Sequence, residues 1–490
     1  MLKLQYAATA DTLTLYWDKP EDADAQERYT VLLNGVCAGE TQSTHFSLHD
    51  LQPDTAYAVE VRRRGESAAL RARTAPRRRA LNVRDFGAAG DGRSMDTAAL
   101  QAAIDACTAQ DEVWLSAGVY RSGALRLHSD MALRIDRGAV LQGTERPEDY
   151  LPRIPSRFEG VERECYSSLL NLGQLDHSAG PNCRNVLIYG GGVIESGGMR
   201  LASAVIESER ARLREYLREN AALVASCENE HTIPGRVRPR LINLSNCEGV
   251  RISGLTLRNG ASWNVHMVYS RDILTDHCEF RSDGVWNGDG WDPDSSENCT
   301  LFACRFYTGD DAVAIKSGKN PEGNAIARPT RGIRIFDCVS DFGRGIVIGS
   351  EMSGGVEDVA VWDCDLGRAE QGLEVKATPK RGGFVRNLSV RDCRVARVLM
   401  HSVGYNDDGE AAPEQPVFEN FLFERLRILG KSLDAEGRVR AVPAIELEGF
   451  SDPGHEIRNL RFSSCTLAAG NEGIRLCRCR ELSFDDLLCE

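Results

Sequence analysis

The chain has no run near the ~18 consecutive apolar residues that a membrane span requires. Its first ten residues also lack the apolar core of a secretory leader. No membrane partner is therefore expected, and a cytoplasmic protein is favoured. Aromatic residues are few, at 7 %, while charged residues stand at an ordinary 27 %. That balance is globular and excludes a disordered chain. Positive charge is in deficit, with a net charge of −13. A general nucleic-acid binder, which needs a basic footprint, is excluded. A polyanionic substrate would need a locally basic groove. The Gly-rich segment Asn82–Gly92 has neither GxGxxG nor GKS/T spacing, so it is no phosphate loop. Cysteine is not lacking, but the 16 are spread over 490 residues. Free buried thiols are expected rather than disulfides. Cys477-Arg-Cys479 is too close and isolated for zinc. No metal or cofactor is called for, and oligomeric state is not legible.

What is present is a concentration of acid. Asp289, Asp292, Asp294, Asp310 and Asp311 fall within about 25 positions. Between them, Cys299–Phe306 reads as a short strand flanked by turns. Convergent carboxylates suit glycosidic-bond hydrolysis, which needs one protonated group and one ionised group. On spacing alone, a solvated acidic loop or an oxygen-ligand calcium site stays open.

At this length two or more domains are expected. Residues 1–75 alternate as a small β-sandwich, with Trp17 in its core, a turn at Asn34-Gly35 and Tyr57 as a corner tyrosine. Residues 76–80 form a linker and 81–490 the main domain. Asp96 is placed to cap a helix over 97–107 that covers an open end of the core. From Val113 a pattern recurs: Asn or Asp, apolar, any, apolar, two residues, Cys. It ends at Cys278, Cys338, Cys364, Cys393 and, more loosely, Cys465, with 26 residues from Cys338 to Cys364 and 29 from Cys364 to Cys393. That is one coil of a solenoid, with cysteines as small stacking core residues. Residues 198–226 break the pattern with helical spacing and many Glu/Arg pairs. They are expected to form a helical insertion over one rim.

The central stretch resembles glycoside hydrolase family 28, the polygalacturonase family. Asn287-Gly288-Asp289 stands for the family's Asn-Thr-Asp, and Asp310-Asp311 for its Asp-Asp. Gly343-Arg344-Gly345 stands for Gly-His-Gly, ahead of Ile346–Gly355, and Glu374-Val375-Lys376 for Arg-x-Lys. The resemblance runs from Leu81 onward. It implies an all-β chain: a right-handed parallel β-helix preceded by a small sandwich of fibronectin type III likeness. It also implies an inverting hydrolase of pectic poly- or oligosaccharides, of the exo-acting bacterial type.

By resemblance Asp310 is the general acid, and Asp289 with Asp311 holds the water. Asn287, Arg240, Trp263, His266, Lys316, Arg344, Glu374 and Lys376 are the substrate-binding candidates. For Trp263 and His266 a place in the core is an equal alternative. Two departures stand out: Arg344 where the family has His, and Glu374 where it has Arg. Histidine titrates near neutrality and arginine does not. The two side chains here could pair with each other as a fork. That would leave Lys376 alone against a substrate carboxylate and favour a branched or rhamnogalacturonan-type substrate. The acidic stretch Asn406–Glu410 and Glu446–Glu448 are further groove candidates. A lyase on the same scaffold and a non-catalytic carbohydrate-binding relative are the alternatives.

Overall fold

The computed structural model describes residues 2–404, 409–433 and 437–490. It divides into two compact units, Met1–Ala80 with Gln110–Glu112, and Leu81–Ala109 with Val113–Glu490.

The first unit is a seven-stranded antiparallel sandwich. Gln5–Ala8, Leu13–Tyr16 and His45–Leu48 form one sheet, and Val36–Thr41, Tyr29–Leu33, Ala56–Arg63 and Glu66–Arg73 the other. Alternation turns Leu13, Leu15, Val31, Val59 and Val61 inward. Trp17 meets Tyr29 edge to face at 5.1 Å. The Tyr57 hydroxyl accepts a bond from the Gln52 N–H at 2.9 Å, tying a corner to its own backbone.

The second unit winds into a right-handed parallel β-helix. Each coil adds one strand to each of three parallel sheets of 13, 13 and 11 strands. The repeat seen in the sequence marks the bends. Just before each cysteine the backbone enters the left-handed region: His277 (φ 54), Asp337 (φ 50), Asp363 (φ 54) and Asp392 (φ 53). Asp tolerates that conformation better than most residues. The small thiol behind it then fits inside the corner between the first and second sheets. Successive corners touch: the Cys278 N–H points to Cys304 Sγ and the Cys364 N–H to Cys393 Sγ, each at 3.4 Å. One position earlier the aromatics stack, Phe302 on Phe336 at 4.9 Å and Phe336 on Trp362 at 4.5 Å. All the cysteines are free, and those of the repeat are buried; Cys37, Cys477 and Cys489 are exposed.

Two local expectations need correction. The single strand expected over Cys299–Phe306 is two, Glu297–Phe302 in the first sheet and Arg305–Thr308 in the second. A closed coil has to bend, and it does so at Ala303 (φ 52). The helix over Thr97–Ala106 forms and buries Leu100, Ala103 and Ile104, but Asp96 makes no side-chain cap. Its carboxylate instead accepts from the N–H groups of Ala89 and Gly90 at 2.7 and 3.0 Å. The helical insertion is broken into Gly198–Arg212, Arg214–Glu219, Ala221–Ser226 and Thr232–Gly235. Leu201, Ala202 and Val205 anchor it to the core. Residues 406–408 of the acidic stretch lie outside the described residues. Glu446 is bound to Arg397 and Arg475, and Glu448 to Arg478. Among the described residues no helix is long and apolar enough to cross a membrane.

Candidate active site

The acidic motifs sit in the turns that feed the third sheet. Asp289 precedes the strand Trp291–Asp294, Asp310 and Asp311 precede Val313–Ile315, and Arg344 precedes Gly345–Ile348. Ladder bonds stack these turns in register. The Gly290 N–H donates to the Asp311 carbonyl at 3.0 Å, and the Ala312 N–H to that of Gly345 at 2.9 Å. Residues a coil apart in sequence are thus neighbours. Gly309 makes room for the second turn: a Cβ there would lie 2.4 Å from the Val285 carbonyl oxygen. Close approach, rather than a special φ, is what demands glycine. Asp310 then faces outward with 19 % of its side chain exposed, while Asp311 is buried. A cavity of about 770 Å³ opens over these turns, and Asn287, Asp289, Asp310, Asp311, Lys316, Arg344 and Lys376 all line it.

Each carboxylate has its own surroundings. Asp310 lies 3.4 Å from Arg344 Nε and accepts from Asn287 Nδ2 at 3.4 Å. The Asn287 amide is itself oriented from behind, because Arg238 Nη2 donates to its Oδ1 at 2.6 Å. Arg238 is buried over the Trp286 ring at 4.2 Å, and burial lowers it to about 10. Asp311 is pushed up to about 7 by burial, with Asp310 adding to the shift and Lys376 opposing it. Asp289 is driven up by burial and by the nearby charge of Asp292. Lys316 Nζ stands 3.2 Å from Asp289 and 3.2 Å from Asp292.

The cavity wall is nearly balanced in charge although the whole chain is acidic. Lys316, Lys319, Arg344, Lys376, Arg381 and Arg440 stand among its acids. Among the described residues no group of His, Cys, Asp and Glu is arranged to hold a metal ion.

Several expected binding residues lie elsewhere. Arg240 is wholly buried, donating to the carbonyls of Arg238 and Arg157, with its guanidinium over Phe158 at 4.9 Å. His266 is buried at 3.5 Å from Asp294, and burial lowers it to about 3. Trp263 reaches the cavity wall, but Phe158 stacks on it at 4.7 Å and Lys316 Nζ lies 3.8 Å from its ring centre. The hairpin Ile154–Phe158 with Val161–Cys165 supplies Phe158, so a covered position replaces a stacking platform.

The expected Arg344–Glu374 fork is also not what forms. Arg344 meets Asp310 and, at 3.9 Å, Glu370. Glu374 meets Lys376 at 3.6 Å and His401 at 2.7 Å. Glu374 is buried, and Lys376 is the member of that pair on the cavity wall. Trp286, Phe342 and Glu351 also line the cavity and were not singled out from the sequence; nothing in their spacing marks them.

Comparison with known proteins bears on the family and the fold. The model of glycosyl hydrolases family 28 matches residues 175–404, and one described as rhamnogalacturonase A/epimerase, pectate lyase-like, matches residues 80–134. The chain is 32 % identical over 389 residues to a protein of Vitis vinifera named "Probable polygalacturonase", covering 75 % of this chain and 72 % of that one. It is 24 % identical over 496 residues to an exo-poly-α-D-galacturonosidase of Dickeya chrysanthemi, covering 90 % and 82 %. Its fold is similar to that of the family 28 exopolygalacturonase of Yersinia enterocolitica. There the TM-score is 0.81 at 23 % identity, over 100 % of this chain and 98 % of that one.

Proposed function

The chain belongs to glycosyl hydrolases family 28, and from that premise we propose an enzyme that removes sugars from the end of galacturonate-containing pectic chains. The observation carrying this reading is the meeting of Asp289, Asp310 and Asp311 in one cavity beside Arg344 and Lys376. Asp310, the most open of the three, gives its proton to the leaving glycosidic oxygen. Asp289 and Asp311, deeper in the wall, hold a water and take its proton as the water attacks the anomeric carbon from the other face. The result is single displacement with inversion. Arg344 and Lys376 supply positive charge for a uronate carboxylate.

Exo action has its own support. The insertion from an earlier coil brings Glu228 to the cavity, and the hairpin Lys431–Leu433 with Val439–Ala441 brings Leu433 and Arg440 from a later one. A site bounded on both sides along the solenoid suits a chain end. Digestion of polygalacturonate should release mono- or disaccharides with little early loss of viscosity, and proton NMR should show the inverted anomer first. A rapid fall in viscosity with mixed oligomers would refute exo action, and a retained anomer would refute inversion.

A second reading of the substrate rests on Glu374. Its carboxylate offsets Lys376 at 3.6 Å, so this part of the wall is less cationic than a pure polyuronate would favour. A branched or rhamnogalacturonan-type chain fits that balance. Side-by-side rates on oligogalacturonate and rhamnogalacturonan fragments decide between the two. The first unit is read as fibronectin type III-like, supported by its seven strands and the Tyr57 corner.

A further inference from the structure

At the back of the cavity wall, beside Asp289, lies a cluster in which one ammonium is held among carboxylates. Asp292 has no exposed surface. Lys316 leaves the strand Val313–Ile315 where it bridges Asp294, and turns its ammonium between two carboxylates. Nζ is 3.2 Å from Asp289 Oδ2, 3.2 Å from Asp292 Oδ2 and 3.9 Å from Glu351 Oε2. The Trp263 ring covers it at 3.8 Å. A substrate carboxylate arriving from the cavity would have to compete for this ammonium with Asp289 and Asp292, and their charge-assisted contacts resist it. We infer that Lys316 and Asp292 are positioning residues that set the charge on Asp289, and that Lys316 is not a cation for the substrate. The inference rests on Asp289 acting as a base in the hydrolysis proposed above.

The physical logic is that of two like charges and one counter-charge. Burial raises both carboxyls, Asp292 to about 7; the Asp292 charge raises Asp289 further, a side-chain bond with Asp289 lowers Asp292, and the ammonium favours ionisation of both. The groups facing the pair come from every neighbouring coil. Lys316 and Glu351 lie on the later side, Asp310 and Asp311 in the adjacent turn, and Arg238 on the earlier side. His266 is the register neighbour of Asp292 and is neutral, its pKa lowered to about 3 by burial. Deleting the Lys316 charge must push ionisation of Asp289 to higher pH. Deleting the Asp292 charge must move it to lower pH.

The test is the pH dependence of kcat/KM on trigalacturonate, whose acid limb reports the base. Lys316→Met should move that limb up by at least about one pH unit, with KM at the variant's own optimum changed by less than about twofold. Lys316→Arg, which keeps the charge, should hold the limb in place, and Asp292→Asn should move it down. A limb unmoved in both Lys316→Met and Asp292→Asn overturns the inference. So does a KM raised more than about tenfold with the limb unmoved, which would make Lys316 a substrate cation. If Lys316→Met does not fold, Asp292→Asn decides alone, and an unmoved limb overturns. A carboxyl titration of carbon-13 aspartate-labelled protein needs no substrate and should show the same displacements. Asp289→Asn with full activity and an intact acid limb would instead refute the base assignment beneath the inference.

Discussion

The corner between the first two sheets and the outer face of the third repeat with the same coil, yet they are filled by opposite rules. At the corner each coil supplies the same kind of side chain: Cys over Cys, Phe302 over Phe336 over Trp362. On the third face consecutive coils supply different charged groups, Asp289, Asp311 and Arg344, then Glu374 and Lys376. Repetition stabilises the corner, because like shapes stack without voids. On the face stacked like charges repel. The site nevertheless sets Asp289 one rung from Asp310 and Asp311 before the cationic Arg344, and burial with these neighbouring charges raises the Asp289 and Asp311 carboxyls.

The sharpest break between the two regions is expected at Asp310. Asp310→Asn should lower kcat by roughly 100- to 10,000-fold, the usual scale of general acid catalysis. Its melting temperature should stay close to that of the unaltered protein, because the side chain is partly open. Near-normal turnover in the folded variant would end its assignment as the acid. At the corner the order reverses. Phe336→Ala opens a cavity between two stacked rings and should cost about 3–5 kcal/mol in urea unfolding. Turnover per folded molecule should be unchanged, and a large kcat loss would mean that the two regions are not separable.

The same contrast decides what was legible in the sequence. The coil spacing and the stacked core cysteines could be read because a solenoid writes its constraints periodically. The motif carboxylates converge as expected, because Asp289 and Asp311 are one ladder rung apart. Arg240, Trp263 and His266 could not be placed. They lie next to the strands that follow the motif carboxylates but beneath the hairpin that carries Phe158, an insertion outside the repeat. No periodicity tells an outward position that is open from one that is covered. Asp96 was misread for a related reason. Its capping role was inferred from the helix alone, while the Ala89 and Gly90 N–H groups that claim it come from an earlier turn. The partners of Arg344 and Glu374 were likewise not legible in the sequence, since Glu370 and His401 belong to no motif.

A smaller effect should appear in stability against pH. Folded Asp311 holds its proton to about 7, against an ordinary Asp value of 3.8. The unfolded chain therefore releases this proton first, and the group weakens the folded state as pH rises from about 4 through 7, then levels off. Asp311→Asn removes that penalty. The variant should match the unaltered protein near pH 4 and exceed it at pH 8, by on the order of 1–4 kcal/mol. Activity should be lost over the same range. A variant less stable at pH 8 than at pH 4, relative to the unaltered enzyme, would show that the Asp311 carboxylate is paid back by Lys376 and Arg344.

The smallest effect concerns the boundary between the regions, at Glu374. This residue sits in the sheet, in register with Val347 and Leu399, yet carries a charge. Burial raises its carboxyl, but Lys376 and His401 more than offset this and leave it at about 2. Glu374 is therefore ionised throughout the working range, and it takes up part of the Lys376 charge that would otherwise act on the cavity. Glu374→Gln keeps the shape and a bond for His401 while removing the charge. Lys376 then acts more strongly on Asp311, which it already pulls down, and on any substrate carboxylate. Two changes should follow together: KM for oligogalacturonate should fall by about two- to tenfold, the scale of one partly screened charge contact, and the Asp311 titration should move to lower pH. A lower KM without the shift would place the effect on the substrate alone. An unchanged KM with the shift would mean that Lys376 serves Asp311 and leaves the uronate to Arg344.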